Sequence, residues 1–191
     1  MSTPTVHVRR EPFLNMILSS AEIFRRECLG IVFGYLPTRS KNHFLVTNVI
    51  DIKSFKVRLN KEIEQSKKSA QVFKGIFEQA ESIFRPIGSF HSHAEWGSHK
   101  GVAELGDEDI KNMSSEGEML NFIIAISSRE KGSAPWEIQP DGSIKGSLYK
   151  FNFHIAAYML VDDEENKKVP LELKIVAPAA VKTLNRVYGY S

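Results

Sequence analysis

Apolar residues recur along this chain with two periods, and the places where one period gives way to the other outline the elements. From Pro12 onward, Phe13, Leu14, Ile17, Leu18, Ala21 and Phe24 return every three or four residues, the spacing of one helical face. Residues 27–36 then read as a strand that ends in the turn-rich segment 37–42, and residues 43–52, dense in Phe, Val and Ile, read as a second strand. Helical spacing returns over 59–84 in Val72, Ile76, Phe77, Ala80 and Ile83, closed by Pro86. A short strand is expected at 87–93, a loop at 95–105 around Gly97, Ser98 and Gly101, and a helix from Asp107 with acidic residues in its first turn. Strands follow at 121–127, 136–138, 144–160 and 169–176, the third long enough to be bent or broken in two, with a helix at 177–187. Pro140-Asp141-Gly142 supplies the turn before the long strand. The pattern predicts an α/β or α+β domain, a central mixed sheet flanked by helices, over residues 1–191.

Composition narrows the classes of function. The chain has 191 residues, 42% hydrophobic and 25% charged, enough for one substantial core. A net charge of +2, with the cations spread along the chain, argues against a nucleic-acid partner. Cys28 is the single cysteine, which excludes an internal disulfide and a cysteine-built zinc site. The polar start, with Arg9-Arg10 and no apolar run, predicts no secretory signal, and no stretch approaches the roughly 20 apolar residues of a membrane span. A cytoplasmic protein with no membrane partner is the expectation.

The stretch that carries chemistry is Gly88-Ser89-Phe90-His91-Ser92-His93. Residues two apart on a strand share a face, so His91 and His93 can offer imidazole nitrogen to one ion. A catalytic zinc takes three protein ligands and keeps one position open. Asp109, sixteen residues beyond His93 and across a loop, is placed to complete such a set. Two strand histidines satisfied by ordinary hydrogen bonds are the plainer alternative.

His91-Ser92-His93 followed by Gly106-Asp107-Glu108-Asp109 resembles the JAMM motif of MPN-domain metalloproteases: His-x-His, a loop, then Ser-x-x-Asp. Those enzymes carry a glutamate upstream, before a Gly-x-x-x-Gly stretch, and Glu27-Cys28-Leu29-Gly30-Ile31-Val32-Phe33-Gly34 is similar to it in place and context. The resemblance implies an MPN/JAB domain with a cytidine-deaminase-like mixed sheet flanked by helices. It implies one zinc held by His91, His93 and Asp109, with Glu27 as the base that takes a proton from water and passes it to the leaving amine. Three positions depart from the pattern. Ala94 and Leu105 stand where prolines are usual, Gly106 stands in place of the motif serine, and the loop is longer than in the family.

The implied activity is a prokaryotic-type (iso)peptidase acting on the C-terminal tail of a ubiquitin-like or sulfur-carrier protein, with a homodimer compatible. A non-catalytic MPN scaffold and a zinc hydrolase of small peptides are the competing readings. Gly106, Ser98 and Trp96, together with His99, are the residues through which the loop would reach substrate or replace the missing serine. Cys28, alternating with Glu27, is expected to point away from it as a small buried hydrophobe.

Overall fold

The computed structural model describes residues 3–52, 55–58, 63–65, 71, 72, 74–76, 79, 85–95, 97, 99–130 and 132–190. The architecture turns on strand β10 (Phe151–Asp162), the longest in the molecule, whose two edges hold three partners. One edge pairs antiparallel with β7 (Leu120–Ser128). The other is shared, its first half with β9 (Ile144–Leu148) and its second half with β11 (Lys168–Val176). A positive φ at Tyr149 makes the two-residue turn between β9 and β10, dividing the long apolar stretch into two strands.

The far edge of β11 pairs in parallel with β1 (Thr5–Val8), and β1 pairs in parallel with β3 (His43–Asp51). From β3 the ladder runs antiparallel through β2 (Leu29–Tyr35) to β6 (Pro86–Ala94), then in parallel back to β7. Seven strands therefore form a closed ring, with β9 and the two-residue β8 (Glu137–Ile138) as an extension. Closure leaves the ring no free edge, which matters because unpaired strand edges template aggregation.

A single hydrophobic cluster takes side chains from every strand of the ring, among them Val6, Val32, Phe44, Phe90, Phe122, Ile155 and Leu173. This is the inner face. Helices α1 (Arg10–Glu22) and α3 (Pro178–Val187) add Phe13, Met16, Ile17, Ala180 and Leu184 to it. Trp136, 1% exposed, joins this core with its indole N–H donating to the Ser147 carbonyl at 2.9 Å. On the outer face a second, smaller cluster joins Ala103 to Ile123, Ala125, Ala156 and Tyr158, with Leu105 packed against it. Helix α2 (Asp107–Glu116) comes next in the chain and buries Met113.

This corrects the α/β (α+β) expectation of an MPN-type open mixed sheet flanked by helices: the sheet is a closed barrel. Thr-Val-His-Val at the N-terminus reads as a polar lead-in because it is only four residues long, yet it bridges β11 and β3 and so decides closure. Periodicity identifies which residues are strands; it carries no information on which strands pair. Part of the expected 59–84 helix is also replaced. Residues 63–65 form β5 (Ile63–Gln65), paired with β4 (Phe55–Arg58), and helical residues are found at 71, 72, 74–76 and 79. Val72 and Ile76 are exposed rather than buried, and Phe77, Ala80 and Ile83 lie outside the described residues.

Val6 has no exposed surface and lies in the closing strand. Removing two buried carbons from it with Val6→Ala should cost about 2 kcal/mol of unfolding free energy in urea. Amide exchange in β1 and β11 should accelerate together. A change below about 0.5 kcal/mol, the level of an inert surface substitution, would show that β1 contributes nothing to closure.

Candidate metal centre

Alternation along β6 sorts its residues by face. Phe90 and Ser92 turn inward and have no exposed surface, while Ser89, His91 and His93 turn outward. Parallel pairing sets His91 beside Ile123 and His93 beside Ala125, so both imidazoles rise from a floor of outer-cluster side chains. Asp109 reaches them from the first turn of α2.

The three side chains converge. His91 Nε2 lies 3.1 Å from His93 Nε2 and 3.2 Å from Asp109 Oδ1, and His93 Nε2 lies 3.8 Å from Asp109 Oδ2. One donor atom from each falls within 4.8 Å of the others. Ligands at about 2.0–2.1 Å on a tetrahedral zinc stand about 3.3 Å apart, close to the separations of His91 Nε2 from His93 Nε2 and from Asp109 Oδ1. Two nitrogens and a carboxylate are also a donor set suited to zinc. Side-chain exposures of 12%, 21% and 22% leave the cluster open on one side.

Hydrogen bonds around the cluster prepare the donors. His93 Nδ1 lies 2.8 Å from the Val102 carbonyl, which has no proton to give, so His93 donates there and Nε2 keeps its lone pair. Burial, and then the neighbouring His91 ring, lower the pKa of His93 and favour that neutral form. Burial alone would raise the Asp109 carboxyl. The hydrogen bond and charge of His91 and the Gly106 N–H outweigh it and hold the group below its ordinary range. Asp109 Oδ2 accepts the Gly106 N–H at 2.8 Å, which leaves Oδ1 facing His91.

Glu27 lies two residues before β2, outside the ladder with β6. Leu29, the first residue of that ladder, pairs with His91, and the Ser92 N–H donates to the Cys28 carbonyl at 3.1 Å. The Cys28 N–H donates to Ser92 Oγ at 2.8 Å, clamping the segment that carries Glu27 against β6. Cys28 itself turns inward, 4% exposed, with Sγ 3.4 Å from Ser20 Oγ. Glu27 is half-buried.

Of the loop residues, Trp96 and Ser98 lie outside the described residues, and His99 is exposed. Gly106 stands at the N-cap of α2, and its N–H is committed to Asp109 rather than directed at a substrate. Several supporting residues escaped sequence reasoning. Ser92 looks like a spacer inside His-x-His. Glu95 accepts the Ser128 N–H at 2.9 Å and the Ser128 hydroxyl, tying the loop to the end of β7. Glu118, its pKa raised first by burial, accepts Ser89 Oγ at 2.9 Å on the same face as His91. No spacing rule in the sequence marks these roles.

No protein-family model matches the sequence, and no curated protein matches it. Among solved structures, the chain is similar to the solution structure of protein DSY2949 from Desulfitobacterium hafniense. The TM-score is 0.53 at 12% sequence identity, covering 91% of this chain and 92% of that one. At that identity the likeness speaks for the fold alone. No helix among the described residues is long and apolar enough to cross a membrane.

The lowered pKa of His93 fixes the sign of one pH effect. Its unfolded value is about 6.5, so on acidification the unfolded chain takes up the proton first. Metal-free protein should therefore lose stability as the pH falls below about 6.5 through the histidine range, read as urea midpoints between pH 7.5 and 5. His93→Asn should flatten that slope relative to wild type. An unchanged slope would mean that His93 is not held in its neutral form.

Proposed function

We propose that this chain is a zinc-dependent (iso)peptidase that hydrolyses the amide bond at the C-terminal tail of a ubiquitin-like or sulfur-carrier protein. The observation that carries the reading is the convergence of His91, His93 and Asp109, with Glu27 on the neighbouring segment that Ser92 ties to β6. Because the fold departs from the one the motif resemblance implies, the reading rests on the site and not on the architecture. The substrate class is that of the resembled enzymes. The single buried thiol, Cys28, suits a reducing, cytoplasmic setting.

His91 Nε2, His93 Nε2 and Asp109 Oδ1 would hold the ion, with the Val102 carbonyl and the Gly106 N–H fixing how two of them present their donors. Zinc there supplies a Lewis acid that makes water easier to deprotonate and polarises the scissile carbonyl. Glu27 takes the proton of the attacking water and returns it to the leaving amine, so the proton count closes over one turnover. Ser92 keeps Glu27 in place by holding the Cys28 N–H.

One observation favours the weakly active scaffold as a second reading. Gly106 has no side chain to stabilise charge on the carbonyl oxygen, and its N–H is engaged by Asp109. A Cβ at Gly106 would meet Asp109 Oδ2 at 3.4 Å, an ordinary contact, so a serine fits there.

Wild-type protein should carry about one zinc per chain by elemental analysis, and Asp109→Ala should carry none. Absence of zinc from wild type after reconstitution would sink the enzyme reading and leave the scaffold. Glu27→Gln should retain zinc while losing about 10²–10⁴ in kcat on conjugates of ubiquitin-like proteins. Cleavage of short peptides but of no conjugate would favour the small-peptide hydrolase. Gly106→Ser should raise kcat, by up to about 10²–10³ where the serine supplies the missing donor; an unchanged kcat would mean another group already fills that role.

A further inference from the structure

Residues 99–105 run along the outer face of the barrel beside the metal centre. The Val102 side chain is 56% exposed, and Ala103, although 2% exposed, has one carbon to bury. Glu95, ahead of this run, is tied to Ser128, and Leu105 packs against the outer cluster at its end. Between them, Gly101 passes so close to β6 that a Cβ would lie 2.0 Å from the His93 carbonyl oxygen. The next two residues each give up a carbonyl. Val102 O takes the His93 Nδ1 proton at 2.8 Å, and Ala103 O takes the hydroxyl proton of Tyr158 at 2.7 Å.

Tyr158 is 8% exposed and projects from the outer face of β10, where it pairs with Asn121 of β7. Its hydroxyl donates to the Ala103 carbonyl beside the Val102 carbonyl that His93 holds. Burial, then the carboxylates Glu172, Glu104 and Asp141, raise its pKa, so it stays a donor at any working pH.

We infer that Tyr158 is a positioning residue for the metal centre, holding through the Ala103 carbonyl the strap whose Val102 carbonyl keeps His93 in its ligating tautomer. The path runs from the Tyr158 hydroxyl to the Ala103 carbonyl, along one peptide unit to the Val102 carbonyl, to His93 Nδ1–H, and so to the lone pair on Nε2. A partner that fixes the tautomer of a ligating histidine typically changes metal affinity by 10–100-fold. Tyr158 acts one residue further out, so the lower end of that range applies. This role rests on the proposed zinc site.

The test compares wild type with Tyr158→Phe, which deletes the hydroxyl and keeps the ring. Zinc affinity is measured by competition with a chromophoric chelator. Histidine ring nitrogens are followed by ¹⁵N NMR in the metal-free proteins, and thermal melting of the metal-free proteins records any general loss of stability. Tyr158→Phe should bind zinc about tenfold more weakly. The His93 Nδ1–H signal should broaden or give way to a mixture of tautomers. Unchanged zinc affinity together with an unchanged His93 ring spectrum would overturn the inference, even where the melting temperature falls, because the tyrosine would then be structural only. If wild type takes up no zinc, the metal reading fails, while the metal-free ring spectra still judge whether Tyr158 sets His93. Should Tyr158→Phe not fold, Gly101→Ala displaces the same strap from the other side, and a wild-type ring spectrum and affinity there would overturn the inference.

Discussion

In a closed sheet, every strand must give one face to the interior, and the two-residue period of the backbone then assigns the other face to whatever lies between. On β6 this single constraint gives Phe90 and Ser92 to the core side and Ser89, His91 and His93 to the outside. On β7 the inner positions are Phe122 and Ile124, and the outer positions supply the floor of the site. The candidate site is thus built on positions the inner core does not use, and among the described residues of that inner core Cys28 is the titratable group.

The site is made by long-range contacts laid over that alternation. His91 and His93 are two residues apart, but Asp109 arrives from the next helix, and the peptide that carries Glu27 is brought in by antiparallel pairing and the Ser92 hydroxyl. The same logic extends outward. Val102 meets His93, Tyr158 meets Ala103 and Glu95 meets Ser128 across separations of 9, 55 and 33 residues. Strand β6 supplies the two imidazoles, and backbone carbonyls and amides from the connecting segment set how the site's side chains are presented. Such backbone groups are a sound choice for the purpose, since a carbonyl can only accept and so leaves a histidine no choice of tautomer.

Net charge, the single cysteine and the pattern of apolar residues were legible without coordinates. So was the shared face of His91 and His93, from their two-residue spacing on a strand, while Asp109 was named beside them through the motif resemblance. Barrel closure was not legible. It depends on the four residues Thr5–Val8, too short for a periodic signal, finding parallel partners about 38 and 169 positions away. The commitment of the Gly106 N–H to Asp109 was hidden for a related reason: a glycine carries no side chain from which a role can be read, and its amide acts only once the helix N-terminus has formed.

By itself, then, the sequence determined which residues are strand and helix over most of the chain, and that the two histidines of β6 share a face. These are local properties, governed by side-chain period and by preferences at helix starts. Tertiary structure alone decided that the sheet closes, that Ser92 ties down the peptide next to Glu27, and that Tyr158 and Val102 stand behind His93. Each of these is a pairing between segments far apart in the chain, and strand register and hydrogen-bond partners across such separations are set by the packing of the whole core rather than by any neighbourhood of residues.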